Sequence, residues 1–231
     1  MVQNDYDANI CLTPSWVMHI FCIMGNEANY IDREVRLADV ASISAGYPFR
    51  GSIEDAPGGG VAVVQIRNVD ADTGVDWPSV FRTQLTGRRK PDWLGRGDIL
   101  FSARGNRNVA TLVGAVPGQA VCSPHFFLIR LKDVGKLLPA FVAWQINQEP
   151  MQRYLAASAT GSYITSIRRQ VLEDLPLVMP PLEKQKTIIA FSDAAVREKQ
   201  LLLELIENRN RQMRTLAGIA FSDLLKGQSN E

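Results

Sequence analysis

The segment Arg104-Gly105-Asn106-Arg107-Asn108 brings together two arginines and two asparagines, the side chains that make paired hydrogen bonds to guanine and to adenine in the major groove. Apolar runs flank it. Gly97-Asp98-Ile99-Leu100-Phe101-Ser102 reads as a turn into a buried strand, and Val109 to Val116 resumes as strand. The same residues suit the bend of a hairpin, because Gly and Asn tolerate left-handed backbone, and the sequence leaves both readings open. A second candidate contact surface follows Gly161-Ser162 and comprises Tyr163, Thr165, Arg168 and Arg169. Ser166, ahead of Ile167-Arg168-Arg169-Gln170, suits a helix N-cap; since helix N-termini also hold phosphate, capping and contact are compatible there.

Charge supports these positions by distribution rather than by total. The chain carries a net charge of +1, but residues 1–60 hold eight acids against three arginines, while residues 81–110 hold seven cations against two acids. Arg88, Arg89 and Lys90 form one run in that basic stretch, and residues 150–172 add Arg153, Arg168 and Arg169 with no acid. Local clustering of this kind is what phosphate contact requires, although charge runs also serve as plain solvated surface.

The elements that must position these groups are legible in outline. From Val35 short apolar runs alternate with turn chemistry up to Gly46-Tyr47-Pro48, and Val61-Ala62-Val63-Val64-Gln65-Ile66 is a β-branched run of strand length. The glycines at 58–60 precede that strand, whereas a nucleotide-binding loop follows a strand and opens a helix, so a phosphate cradle is rejected. Pro139 announces a helix with Phe141, Val142, Trp144 and Ile146, and Pro150 opens another through Tyr154 and Leu155; both read as core. The paired prolines Pro180-Pro181 end a short strand and start a helix. From Leu182 to about Lys226 no further proline occurs, which predicts a helix of roughly 65 Å at 1.5 Å per residue. Ile188, Phe191, Ala195, Leu202, Leu205, Leu216 and Ile219 fall on one seam of it. Ile189, Val196, Leu203, Ile206, Met213 and Leu224 fall on the next, with Arg209, Asn210 and Gln212 interrupting both. So wide an apolar stripe on so long a helix calls for a second long helix alongside.

Function classes narrow by what the residues lack. Cys11, Cys22 and Cys122 form no C-x-x-C pair, and His19 and His125 are the two histidines, so no metal site of zinc spacing is expected. No Asp/Glu-x-Lys triplet follows Pro91-Asp92 or occurs elsewhere, no Asn/Asp-Pro-Pro-aromatic motif is present, and neither histidine lies in a hydrolase motif. No catalytic residue is therefore assigned. Ile10 to Met24 is apolar but broken by Pro14, Ser15 and His19, which argues against a membrane span or signal peptide and for a cytoplasmic protein. Residues 1–33 read as an N-terminal extension, residues 34–181 as a mixed α+β domain, residues 182–226 as the helix and residues 227–231 as a tail.

Four stretches in order resemble the specificity subunits of type I restriction–modification systems. They are Leu37-Ala38-Asp39-Val40-Ala41-Ser42-Ile43-Ser44-Ala45-Gly46-Tyr47-Pro48-Phe49-Arg50-Gly51, Gly97 to Gly105, Gly161-Ser162-Tyr163-Ile164, and Leu175 to Gln185. The resemblance implies an α+β target-recognition domain that reads half of a split site in double-stranded DNA, and a long helix that spaces and docks methyltransferase subunits. It implies a subunit that is not itself catalytic and binds no cofactor, with S-adenosylmethionine on the partner methyltransferase and restriction subunits as further possible partners. The chain departs from the usual plan of two recognition domains and two helices, since it shows no internal repeat and has room for one of each. An antiparallel homodimer through Ile188, Phe191, Leu202, Leu205, Ile206, Met213 and Leu216 is the simplest way to supply the missing helix. Pairing with a different half-subunit, or origin as a fragment of a complete one, are the alternatives. A coiled-coil interaction protein without a DNA role would explain the helix and leave the Arg/Asn segment without purpose.

Overall fold

The computed structural model describes residues 33–49, 56, 59–85, 90–105, 108–158 and 166–227. Two compact units divide between Gln185 and Lys186. The first is a mixed α+β domain and the second is the body of one long helix, as the sequence predicts.

In chain order the domain comprises β1 (Arg33–Arg36), the single turn α1 (Leu37–Val40), β2 (Ala41–Ala45), β3 (Val61–Val64), β4 (Val69–Asp70), β5 (Gly74–Val75), β6 (Arg82–Thr83) and β7 (Ile99–Ser102). It continues through β8 (Ala110–Leu112), β9 (Ala120–Cys122), β10 (Phe126–Leu131), α2 (Pro139–Ile146), α3 (Glu149–Ser158), α4 (Arg169–Glu173) and β11 (Pro176–Met179), after which α5 (Leu182–Gly227) begins. An antiparallel sheet in the order β2-β10-β7-β8 is the centre of the domain. A smaller sheet has the order β6-β3-β9, with β3 and β9 parallel, while β4-β5 and β1-β11 are two-stranded ribbons. All four residues of β7 are buried, which is why that strand is a continuous apolar run ending in Ser102. In β2 the buried Ala41 and Ile43 alternate with exposed Ser42, the pattern of a strand with one wet face.

Two strands are shorter than their sequences suggest, and local chemistry explains one of them. After Val64 the backbone tightens into a 3-10 turn at Ile66–Asn68, because the Gln65 amide N–H donates to Asn68 Oδ1 at 2.9 Å. β8 stops at Leu112 rather than running to Val116. Gly60, with φ of +79°, lets β3 approach β6: a Cβ there would lie 2.3 Å from the Thr83 carbonyl oxygen. That glycine serves close backbone approach, consistent with rejecting a phosphate role.

Side-chain amides close several backbone edges of this domain. Asn147 Nδ2 donates to the Ala110 carbonyl at 2.7 Å and its Oδ1 accepts the Ala110 N–H at 2.9 Å, covering β8. Gln145 treats Val178 of β11 in the same way, at 3.0 and 2.7 Å. Gln185, fully buried in the first turns of α5, accepts the Leu138 N–H at 2.8 Å and donates to the carbonyls of Lys136 and Pro180 at 2.9 and 2.7 Å. Leu138 is the N-cap of α2 and no side chain caps that helix, so Gln185 provides for one of the domain's own unsatisfied groups. Gln185→Ala should destabilise the protein by about 3 kcal/mol, since a buried donor and acceptors lose their partner together. The expected result is a fall in Tm of roughly 6–12 °C in a thermal melt, and an unchanged melt would refute the role.

Candidate nucleic-acid interface

The hairpin between β7 and β8 is held at its base by a compact set of bonds. Ser102 N–H donates to the Val109 carbonyl at 2.9 Å, and Val109 N–H donates to Ser102 Oγ at 2.7 Å. Asn108 Nδ2 donates to the Ser102 carbonyl at 2.8 Å, and Gln152 Nε2 of α3 donates to the Asn108 carbonyl at 2.9 Å. Asn108 is thereby a structural residue of the stem, its amide nitrogen directed at the protein's own backbone. Gly105 has a φ of +124°, a conformation that glycine adopts without strain.

On the other side of the hairpin the chain between Ala103 and Gly105 lies against two distant segments. Ala103 N–H donates to the His125 carbonyl and the Ala103 carbonyl accepts the Ile167 N–H, both at 2.9 Å. Arg104 and Ser166 then form an antiparallel bridge. Arg104 of the first candidate stretch and Ser166 of the second are therefore neighbours in the fold. Ser166 does not cap the following helix: Arg168 is the N-cap residue, without a side-chain cap bond, and α4 starts at Arg169. The bridge to Arg104 takes Ser166 as an extended residue, a long-range pairing that overrides its local capping tendency.

A third segment also reaches this end of the domain. A Cβ built on Gly105 would lie 3.9 Å from Ile66 Cδ1, in ordinary contact distance, so the Ile66–Asn68 turn stands beside the hairpin. Arg67 of that turn is exposed, and its guanidinium lies over the Phe81 ring at 5.8 Å from the centroid. As a lone arginine outside the basic stretch, Arg67 carries no local sequence signal.

The cations differ in how much they are already engaged. Arg104 and Arg168 are exposed and appear in no ion pair among the described residues. Arg169 is paired with Glu173 at 2.7 Å one helical turn on, and Arg153 with Glu149. Arg82 donates to the Gly60 carbonyl at 2.7 Å and belongs to the β3–β6 contact. Lys90 is exposed but close in sequence to a different structure: Asp92 accepts from Ser44 Oγ at 2.7 Å and from Arg130 at 3.2 Å. Arg130 also forms a two-point pair with the buried carboxylate of Asp98, at 2.8 and 2.7 Å, and this keeps its guanidinium charged. That network sits at the Ile99 end of β7, whereas Arg104 follows the Ser102 end, so the fold separates Lys90's neighbourhood from the hairpin. Arg88, Arg89, Asn106, Arg107, Tyr163 and Thr165 lie outside the described residues, as do residues 1–32 and 228–231.

Cys122 is buried, and burial pushes its thiol up to about 12, far from the range in which a thiolate attacks. No group of three or more His, Cys, Asp or Glu able to hold a metal occurs among the described residues. No described helix is long and apolar enough to cross a membrane.

In the second unit the apolar seams face solvent within one chain. Phe191, Leu202, Leu205, Ile206, Met213 and Leu216 are 53–78% exposed, and Leu201, Leu203, Ile219 and Phe221 fall in the same range. Ile188, near the start of the helix, is half-buried.

Comparison with known proteins agrees with this architecture. The chain is similar in fold to an HsdS subunit from Thermoanaerobacter tengcongensis, with 23% identity, a TM-score of 0.52, and coverage of 76% of this chain and 42% of that one. It is likewise similar to the type I restriction–modification S subunit from M. genitalium, at 16% identity and TM-score 0.52, covering 79% and 44%. A chain from a structure of complex assembly and conformational transition of the type I R-M system matches at 18% identity and TM-score 0.55, covering 81% and 45%. The chain thus spans less than half the length of these solved structures. A search of curated proteins finds no match. The model of the type I restriction modification DNA specificity domain matches residues 33–208, about three quarters of the sequence. With the α+β domain and the start of its long helix both inside that match, the chain belongs to the type I restriction modification DNA specificity domain family.

Proposed function

We propose that this chain is a DNA-reading subunit of a type I restriction–modification complex, and that the hairpin after β7 together with the segment at residues 166–168 forms its contact face. The observation that carries the proposal is the Arg104–Ser166 bridge, which joins the segment of the exposed Arg104 to the one that continues into the exposed Arg168. Unpaired arginines so placed suit phosphate and guanine alike. Adenine methylation, in the cytoplasm, is the work of a separate methyltransferase that holds S-adenosylmethionine, and restriction subunits join the same complex. The exposed seams of α5 take a second long helix, and a second copy in antiparallel orientation would present two identical reading domains to a two-part palindromic site.

The test is to express the chain with its cognate methyltransferase and map methylated adenines across the host genome. Arg104→Ala and Arg168→Ala should each relax one motif position or lower methylation generally, at about 1–3 kcal/mol for a bidentate base contact. Asn108→Ala should act differently and lower the melting temperature, because its amide secures the hairpin stem. A motif that survives both arginine substitutions at full methylation would overturn the choice of face.

A further inference from the structure

We propose that the turn at Ile66–Arg67 is a second sequence-reading element, with Arg67 contacting a guanine edge and Ile66 the methyl group of an adjacent thymine. The proposal rests on the DNA-reading role of the neighbouring hairpin and adds determinants from a different part of the chain.

The turn is fixed far more firmly than an ordinary surface bend. Asn68 is 1% exposed, and its side chain accepts from Gln65 N–H and donates to both the Ser79 carbonyl and Ser79 Oγ, at 3.0 and 2.9 Å. Its carbonyl accepts the Asp76 N–H at 2.9 Å. What this scaffold holds outward is an isoleucine, 37% exposed, and an exposed arginine. A single exposed isoleucine is unremarkable by itself. Its placement decides the matter, because Ile66 adjoins Gly105 at the turn of the Arg/Asn hairpin.

Arg67 is held in readiness rather than used. No ion pair joins it to an acid among the described residues, and its guanidinium stands over Phe81. Phe81 is itself anchored, packed against the cluster of Tyr47, Val63 and Val121, with its carbonyl accepting the Val63 N–H at 3.1 Å. A guanidinium lying over a fixed ring loses less freedom on engaging a planar partner. Arginine beside an apolar side chain is the pairing that reads guanine next to thymine in the major groove, the arginine through O6 and N7 and the apolar group through the C5-methyl.

The experiment compares wild type, Arg67→Ala, Arg67→Lys and Ile66→Ser, each expressed with the cognate methyltransferase and assayed by genome-wide methylation mapping. Both Arg67 variants should admit other bases at one motif position, raising methylation of such sites at least about fivefold, with the remaining positions unchanged. Ile66→Ser should relax a neighbouring position. Lysine keeps the charge but not the fork, so a uniform loss in Arg67→Ala that Arg67→Lys restores would mean phosphate contact and overturn the base-reading role. A wild-type motif that all three variants reproduce unchanged would also overturn it while leaving the hairpin's role standing. Absence of any wild-type motif would instead remove the DNA-reading premise, and this inference with it.

Discussion

Gly46→Ala should be strongly destabilising. The Cβ it adds would lie 2.0 Å from the Ser123 carbonyl oxygen, 2.7 Å from its carbon and 2.9 Å from the Cys122 carbonyl oxygen. All three are backbone atoms, so no flexible side chain is available to swing away. Nor is the backbone free to retreat: Gly46 N–H donates to the Phe126 carbonyl at 3.0 Å, and Tyr47 N–H to the Cys122 carbonyl at 2.8 Å. Ser123 is tied in turn, with its N–H on the Val64 carbonyl at 2.9 Å and its carbonyl accepting the Phe126 N–H at 3.1 Å. Relief of the clash requires a shift of more than about 1 Å, which breaks two or more of these buried bonds at about 1–3 kcal/mol each. The expected loss is about 4 kcal/mol or more, a large part of the 5–15 kcal/mol that keeps a typical domain folded. Urea unfolding followed by circular dichroism measures it. Gly114→Ala is the control, because a Cβ there meets nothing within 4 Å, and its midpoint should match wild type. A Gly46→Ala midpoint equal to that of the control would show that the β2 end and the β9–β10 turn yield easily.

Gly46 also shows what a sequence discloses and what it withholds. The stretch Leu37 to Gly51 was recognisable as a pattern, yet the reason for its glycine is a close approach to a turn almost 80 residues away. Signals confined to neighbours in sequence were legible: the apolar run of β7, the proline that opens α2, and the prolines between β11 and α5. Signals that depend on distant partners were not. The parallel pairing of β3 with β9 joins residues nearly 60 positions apart, and Ser166 gave its local capping chemistry to a bridge with Arg104. Asn147, Gln145 and Gln185 look like unremarkable polar residues in helical runs, although each completes the hydrogen bonding of a backbone segment elsewhere. Among candidate contact residues, clustering in sequence collected Arg104 and Arg168, which the fold leaves exposed, together with Asn108 and Arg169, which it commits to the Ser102 carbonyl and to Glu173. It passed over Arg67 for the converse reason, since only folding brings its neighbour Ile66 beside Gly105.

Leu205→Glu combined with Ile206→Glu should abolish self-association while leaving the α+β domain folded. Leu205 and Ile206 are 53% and 56% exposed in the single chain. Half-exposed side chains carry little of the packing of a single chain, and glutamate is a good helix former. In a pair of antiparallel helices the same positions would be buried, and each copy would lose two large aliphatic groups worth about 1.5–3 kcal/mol apiece on full burial. Four carboxylates would enter the apolar seam in their place, with a further desolvation cost. A loss of at least about 6 kcal/mol corresponds to weakening by more than about 10,000-fold, enough to make a micromolar dimer monomeric at any practical concentration. Sedimentation equilibrium should give the dimer mass for the wild-type chain and the monomer mass for the variant, both with the same near-ultraviolet circular dichroism. Three exposed arginines around residue 210 (Arg209, Arg211 and Arg214) make the expected association sensitive to register, because a parallel arrangement in register would stack them on one another. An antiparallel one instead spreads them along the N-terminal half of the partner's helix, which carries Glu198 and Glu204. A wild-type chain that is monomeric at tens of micromolar would rule out the second copy as the occupant of the seam and leave a different long helix as its partner.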